Sequence, residues 1–223
     1  MSDTGVVITA AGASCRMAAG IKKEYIFLQD QPVLAWALQP FLRERRFAPV
    51  VVTVPPGQSD RVHALLKAFV DVAVIRFVEG GKTRQESVCQ ALESMLSAAP
   101  EYVLIHDGAR PWVSTAVIDR VVQGTREHGA CVPVVETADA IKKVNSGGRV
   151  NKHLSRASTL AAQTPQGFCY PRILEAHRYA IDSGLVDYLD DSEICELKGA
   201  PAIVVPGCPR NRKITYQHDL RSM

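Results

Sequence analysis

Val6-Val7-Ile8-Thr9-Ala10-Ala11-Gly12-Ala13-Ser14-Cys15-Arg16-Met17, followed six residues later by Lys23, joins a short apolar run to a loop almost without side chains. Residues 6–8 are β-branched and apolar, the composition of a strand buried on both faces. Residues 10–14 carry so little bulk that a ligand could lie against the backbone and take hydrogen bonds from peptide N–H groups. Arg16 and Lys23 add two cations just beyond, a combination that suits a polyphosphate. The same residues also fit a tight strand-to-helix turn flanked by two solvated cations. Gly12 has no partners for G-x-G-x-x-G, and Gly81-Lys82-Thr83 resembles a P-loop tail with Arg76 where the first glycine belongs, so neither standard nucleotide fingerprint is met.

At 223 residues, 47% hydrophobic, the chain can bury a sizeable core. A formal charge of +3 is a near balance of both signs and provides no general field for nucleic acid or a membrane surface, so local cations must carry any anion binding. The six cysteines show no C-x-x-C and the six histidines no H-E-x-x-H, which argues against a disulfide framework and a zinc site. No apolar run reaches membrane-spanning length and the first strand begins almost at once, so the expected location is cytoplasmic with free thiols.

Along the chain, residues 32–42 place apolar side chains at helical spacing, with Pro40 expected to kink or shorten the helix. Residues 49–54 read as a second buried strand, 60–69 as an amphipathic helix and 72–78 as a third strand. Connections too long for hairpins argue for a mostly parallel sheet covered on both faces. Gly80-Gly81-Lys82-Thr83-Arg84 then leads into a helix over residues 85–96, and a strand over 102–105 ends in His106-Asp107-Gly108-Ala109-Arg110-Pro111. In such a sheet the carboxyl ends of strands face the ligand crevice, which puts Asp107 and Arg110 near the loops after the first and third strands. An aspartate there could bind a ribose hydroxyl or help to hold a divalent metal, or simply make an exposed turn.

Ser114 is expected to cap a helix reaching about residue 127, with a strand over 130–135. The rhythm breaks over residues 139–157, where Asn145-Ser146-Gly147-Gly148 sits between short alternating segments and reads as a projecting hairpin. A lone hairpin is rarely stable, so a second subunit is its expected partner. Residues 163–167 read as a rigid turn, 171–183 and 191–198 as helices closed by Gly184 and Gly199, 202–205 as the last clear strand, and 213–215 as a cation entering a short strand. With no linker or repeat, the expectation is one domain, 1–223, with an arm at about 139–157.

Taken together these pieces resemble the 2-C-methyl-D-erythritol 4-phosphate cytidylyltransferase family. Its A-A-G-x-G-x-R-M and K-Q-Y are similar to residues 10–17 and 23–25, its G-G-x-x-R-x-x-S-V to 80–88, and its H-D-A-A-R-P to 106–111. Its D-R-x-x-L-x-x-x-Q-T-P-Q is similar to residues 155–166 and its N-x-K-[IV]-T to 211–215. The resemblance implies a doubly wound α/β nucleotidyltransferase fold with a dimerising arm, and transfer of CMP from CTP to a sugar-alcohol phosphate with release of pyrophosphate. It implies Arg16 and Lys23 as transition-state stabilisers, and Arg156 and Lys213 as the groups orienting the acceptor phosphate. Ala10, Ala11, Gly12, Gly81, Lys82, Ser87, Asp107 and Arg110 would bind the nucleotide, with Ser87 reading the base and Asp107 meeting the ribose or Mg2+. The metal is expected because the triphosphate needs neutralising, with ligands drawn largely from phosphate oxygens and water.

Ser14, Glu24 and Gly108 depart mildly from the family pattern. Ala140 stands where the family has a substrate-binding threonine, with Thr137 the candidate replacement and Thr215 a further acceptor contact. The same machinery would serve cytidylyl transfer to ribitol 5-phosphate, and a non-catalytic nucleotide sensor is the alternative from another class. Retention of all four cations argues against the sensor. A nicotinamide-dependent reductase fits the β/α rhythm but lacks the glycine fingerprint.

Overall fold

Val6, Val7 and Ile8 are completely buried, and alternate residues enter different cores. A computed structural model describes residues 2–12, 22–185 and 188–220. In chain order, β1 (Thr4–Thr9), the short pair β2 (Phe27–Leu28) and β3 (Gln31–Pro32), and α1 (Val33–Leu42) come first. Then follow β4 (Val50–Val54), α2 (Ser59–Leu66), β5 (Ile75–Glu79), α3 (Arg84–Glu93), β6 (Tyr102–Asp107), α4 (Thr115–His128) and β7 (Ala130–Glu136). The chain continues through β8 (Lys142–Val144), β9 (Val150–His153), β10 (Leu160–Ala162), β11 (Gln166–Cys169), α5 (Tyr170–Asp182), α6 (Asp191–Glu196) and β12 (Ile203–Pro206).

The sheet has eight strands, and its parallel core runs β6-β1-β4-β5. On one face Val6, Ile8, Val50 and Val52 pack with α1, α2 and α4; on the other Val7, Val51, Val103 and Ile105 pack with α3 and α5. This is the doubly wound arrangement that continuous apolar strands require, because each face must be covered. Beyond β6 the sheet turns mixed. β11 inserts antiparallel between β6 and β7, and β12 pairs parallel with β7. Ala162 and Pro206 both stand opposite Val134, so β10 follows the edge of β7 that β11 occupies earlier.

Three sequence expectations are corrected. Residues 163–167 are not simply a turn: β10 and β11 flank Gln163, Thr164 and Pro165, and Gly167 sits inside the sheet because a Cβ there would strike the Thr125 hydroxyl of α4. Residues 213–215 form no strand; Ile214 is tied by one backbone bond to Ala109 O (2.8 Å) and buried beside Leu28 and Val33. Finally, α1 runs through Pro40 and stops at Leu42.

The hairpin of residues 139–157 is present as a separate two-stranded sheet, β8 against β9. Asn145 Oδ1 accepts from the N–H groups of Gly147 and Arg149, and Gly148 supplies the positive φ of the turn. Every residue of both strands is exposed, including Val144 (53%) and Val150 (51%). Among the described residues no helix is long and apolar enough to cross a membrane.

Candidate active site

The carboxyl ends of β1, β4, β5 and β6 are knitted together by backbone bonds. Ala10 N–H donates to Thr53 O, Gly80 N–H to Val54 O and Gly108 N–H to Thr9 O. The segment after the first loop fastens that loop from the other side: Tyr25 hydroxyl donates to Ala10 O (3.0 Å) and Lys22 Nζ to Ala11 O (2.7 Å). Burial lowers the Lys22 pKa. Lys23 lies in the same turn, 8% exposed. A Cβ at Gly12 would meet nothing within 4 Å among the described residues. Arg16, expected to stabilise the transition state, lies outside the described residues.

The loop after β5 packs directly on this platform. Gly80 has no room for a side chain, because a Cβ would run into Ala11 Cβ and Ser87 Oγ (2.6 Å for the latter). Ser87, buried, donates its hydroxyl hydrogen to Thr83 O (2.8 Å) and accepts from Gly81 N–H (3.1 Å), so it shapes the loop. Thr83 caps α3 by accepting from Glu86 N–H, and Lys82 N–H donates to Glu86 Oε2 while the Lys82 side chain stays exposed at the rim.

Asp107 ends β6 at the centre of a charge cluster. Its Oδ2 faces Lys213 Nζ at 3.0 Å and Arg110 Nε at 3.2 Å, and its Oδ1 faces Arg84 Nε at 3.8 Å. Burial alone would raise the Asp107 carboxyl, but Lys213, Arg84 and Arg110 overcome it and hold it well below the usual carboxylate range. Arg84 also pairs with Asp191 Oδ2 at 2.6 Å. Burial works against the ionised form of Asp191 as well, and Arg84 with His177 brings its pKa down to about 2. Arg84, Arg110 and Lys213 gather around Asp107 and Asp191, with Asp190 acting on Arg84 as well, so the cations are held in place for an anionic substrate.

The motifs meet through hydrogen bonds. Thr164 Oγ1 accepts from Asp107 N–H (3.0 Å) and lies 2.9 Å from His106 Nδ1, while His106 Nε2 is 3.2 Å from Arg110 O. The carbonyl can only accept, so His106 carries its proton on Nε2 and Thr164 donates to Nδ1. Burial pushes the His106 pKa down to about 4, so this imidazole is neutral. Asn211 accepts at its carbonyl from Arg110 (2.8 Å) and donates its amide to Thr164 O (2.8 Å), anchoring the segment that brings Lys213 to Asp107.

The structure thus brings Ala10, Ala11, Gly12, Gly81, Lys82, Ser87, Asp107, Arg110, Lys213 and Lys23 to one end of the sheet. Arg156 is not joined to them within the chain: it is exposed in a turn at the foot of the arm, with no side-chain hydrogen bond or ion pair among the described residues. Thr137 is half-buried, and its shielded hydroxyl has no hydrogen-bond partner among those residues. Thr215 Oγ1 donates to Lys213 O (3.3 Å). The sequence expectations assign no site role to Arg84, although it stands inside the Gly80–Val88 motif. Sequence reasoning had no means of finding Asp191 and His177, which reach the cluster from α6 and α5 across a long sequence separation.

A resident metal does not fit Asp107, whose two oxygens already face three cations. Among the described residues no group of three His, Cys, Asp or Glu side chains could hold an ion.

The model of one protein family, 2-C-methyl-D-erythritol 4-phosphate cytidylyltransferase (IspD), matches residues 4–223. The chain belongs to this family. A cytidylyltransferase of that name from Geobacillus kaustophilus is 37% identical over 214 residues, covering 96% of this chain and 92% of that protein. The bifunctional enzyme IspD/IspF of Rhodospirillum rubrum is 37% identical over 220 residues, 99% of this chain and 56% of the enzyme. The chain therefore spans about half the length of such bifunctional relatives. Among solved structures, the Thermus thermophilus 2-C-methyl-D-erythritol 4-phosphate cytidylyltransferase superposes with a TM-score of 0.78 at 32% identity, over 97% of this chain and 95% of that one. Membership of the family agrees with the mixed sheet, including the antiparallel β11 that the sequence reading lacked.

Proposed function

We propose that this chain transfers CMP from CTP to 2-C-methyl-D-erythritol 4-phosphate, giving 4-diphosphocytidyl-2-C-methyl-D-erythritol and pyrophosphate, a step toward isoprenoid precursors. The observation that carries the reading is the family match over residues 4–223, joined to the cations Arg84, Arg110 and Lys213 fixed around Asp107 where β1, β5 and β6 end. A phosphate oxygen of the acceptor attacks the α-phosphorus of CTP in line. One oxygen–phosphorus bond forms as the bond to the bridging oxygen breaks, and pyrophosphate leaves with the electron pair.

Negative charge gathers on the crowded α-phosphate, and cations fixed beforehand lower the barrier most. Lys23 and Arg16 take that role in this proposal, with Lys213 and Arg156 holding the acceptor phosphate. The backbone of residues 10–12 and the Gly81–Ser87 loop receive the nucleotide. Mg2+ bound to the triphosphate would supply charge neutralisation, its ligands coming largely from phosphate oxygens and water rather than from this chain, and Asp107 orients Lys213 or meets the ribose. The Thr137 hydroxyl replaces the threonine missing at residue 140 as an acceptor contact.

In the same proposal residues 1–223 act as one cytoplasmic domain. Two copies join through the arm, whose exposed Val144 and Val150 need a cover and whose foot carries an exposed Arg156 with no side-chain partner among the described residues. Ribitol 5-phosphate is the competing acceptor because of Ala140. The test is pyrophosphate release from CTP and Mg2+ with each acceptor in turn. Release that depends on methylerythritol 4-phosphate is expected, whereas release with ribitol 5-phosphate alone would reassign the acceptor. Nucleotide binding without release in either case would support the sensor.

A further inference from the structure

His177 sits within α5 with no exposed surface. Its Nε2 lies 3.3 Å from Asp191 Oδ1, an ion-pair distance without the alignment of a hydrogen bond, and neither ring nitrogen nor that oxygen has a hydrogen-bond partner among the described residues. Around it α5 and α6 meet through Ala176, Ala180 and Ile194, an apolar contact that a leucine would extend without desolvating a ring. The polar atom is therefore best explained by what Asp191 does next. Asp191 Oδ2 holds Arg84 at 2.6 Å, Arg84 faces Asp107 Oδ1, and Asp107 Oδ2 holds Lys213 at 3.0 Å and Arg110 at 3.2 Å. Each carboxylate engages one neighbour in the series with each oxygen. A buried carboxylate that lost its Oδ1 contact would turn toward another donor and take Arg84 with it.

We propose that His177 is a positioning residue for cytidylyl transfer: by holding Asp191 Oδ1 it fixes Arg84, and through Asp107 it sets where the Lys213 ammonium meets the acceptor phosphate. The inference rests on the reaction proposed above. His177 touches no substrate itself. It acts from the helical layer on a group at the sheet's end, and that link predicts a kinetic signature that a role in packing alone lacks.

The test uses the full chain with CTP, Mg2+ and 2-C-methyl-D-erythritol 4-phosphate, comparing wild type, His177→Leu, His177→Gln, Lys213→Met and the His177→Leu/Lys213→Met double variant. His177→Leu is expected to raise KM for the acceptor about tenfold, the scale of losing one polar contact to a buried charge, with kcat within about threefold. His177→Gln, which keeps an N–H donor, should recover most of the loss. In the Lys213→Met background the same leucine should change KM less than about twofold, because the residue through which His177 acts is gone. An unchanged KM in folded His177→Leu, or a rise as large in the Lys213→Met background as in the wild type, overturns the proposal. Should His177→Leu fail to fold, His177→Asn takes its place, its shorter amide falling short of Asp191, and the same two outcomes decide. A wild-type chain that releases no pyrophosphate contradicts the reaction itself, whereas an active chain indifferent to His177 contradicts only this inference.

Discussion

Lys23 is a long cation held almost out of solvent in the turn that pins the Ala10–Gly12 loop, and burial of that kind is spent where a charge must wait in place. Replacing it in Lys23→Ala should lower kcat by about a hundredfold, the scale for removing a preorganised charge from a developing oxyanion, while CTP affinity by calorimetry falls much less. An undiminished kcat would return Lys23 to a structural role. His106 sets a pH dependence of a different kind. Its folded pKa is depressed from 6.5 to about 4 by burial, so below pH 6.5 the unfolded chain takes up a proton that the folded chain refuses. Its neutral form carries no penalty above pH 6.5, and stability should fall by up to about 1.4 kcal/mol per pH unit between 6.5 and about 4. Urea titrations across that window should show the slope in the wild type and a flatter one in His106→Gln. Asp191 contributes in a lower window, its stabilisation present above the unfolded value of 3.8 and lost as pH falls toward about 2. At this scale the sequence was informative where residues meet through short motifs, as with Asp107 and Lys213. It was silent on His177 and Asp191, because burial and a long-range ion pair leave no spacing to read.

The loops at the ends of β1 and β5 work as one element, since Gly80 packs on Ala11 and Ser87 closes its own loop. Gly80→Ala should therefore destabilise the fold by about 1–3 kcal/mol through overpacking and also raise KM for CTP. Gly12→Ala is the contrasting case: with no described residue within 4 Å of the added Cβ, stability should stay within about 0.5 kcal/mol. If the backbone at Gly12 does receive the nucleotide, KM for CTP should nonetheless rise. Denaturant midpoints and steady-state kinetics on the two variants separate packing from binding. The strands β1, β4 and β6 were legible because apolar β-branched runs buried on both faces permit little else. β11 was not, because Gln166-Gly167 after a proline reads as a turn until α4 is seen to cross close enough to demand a glycine. The segment carrying Lys213 failed as a strand for a related reason: Asn211 and Ile214 fasten it by bonds to Thr164 and Ala109 that belong to no ladder.

For the whole molecule, the exposed arm and an exposed Arg156 without a side-chain partner among the described residues lead to an expectation about assembly. If Arg156 serves the partner's site, mixing Lys23→Ala and Arg156→Ala chains puts both lesions into one site of the mixed dimer and leaves the other intact. Two nearly inactive proteins unfolded together and refolded should then regain activity, and a mixture no better than its parents, with mixed dimers shown to have formed, would place the site within a single chain. The mostly parallel sheet and its two apolar layers were foreshadowed by the β/α rhythm, while the expectation of assembly rests in the sequence on a hairpin too small to stand alone. The central claim concerns chemistry, and phosphorus NMR reads it directly. The wild-type chain is incubated with CTP, Mg2+ and equimolar 2-C-methyl-D-erythritol 4-phosphate and ribitol 5-phosphate, and the products are followed over time. The expected result is free pyrophosphate together with a new coupled pair of diphosphate resonances, appearing at the expense of the methylerythritol phosphate signal while the ribitol phosphate signal persists. Consumption of ribitol 5-phosphate in its place, or CTP left intact beside both acceptors, would contradict it.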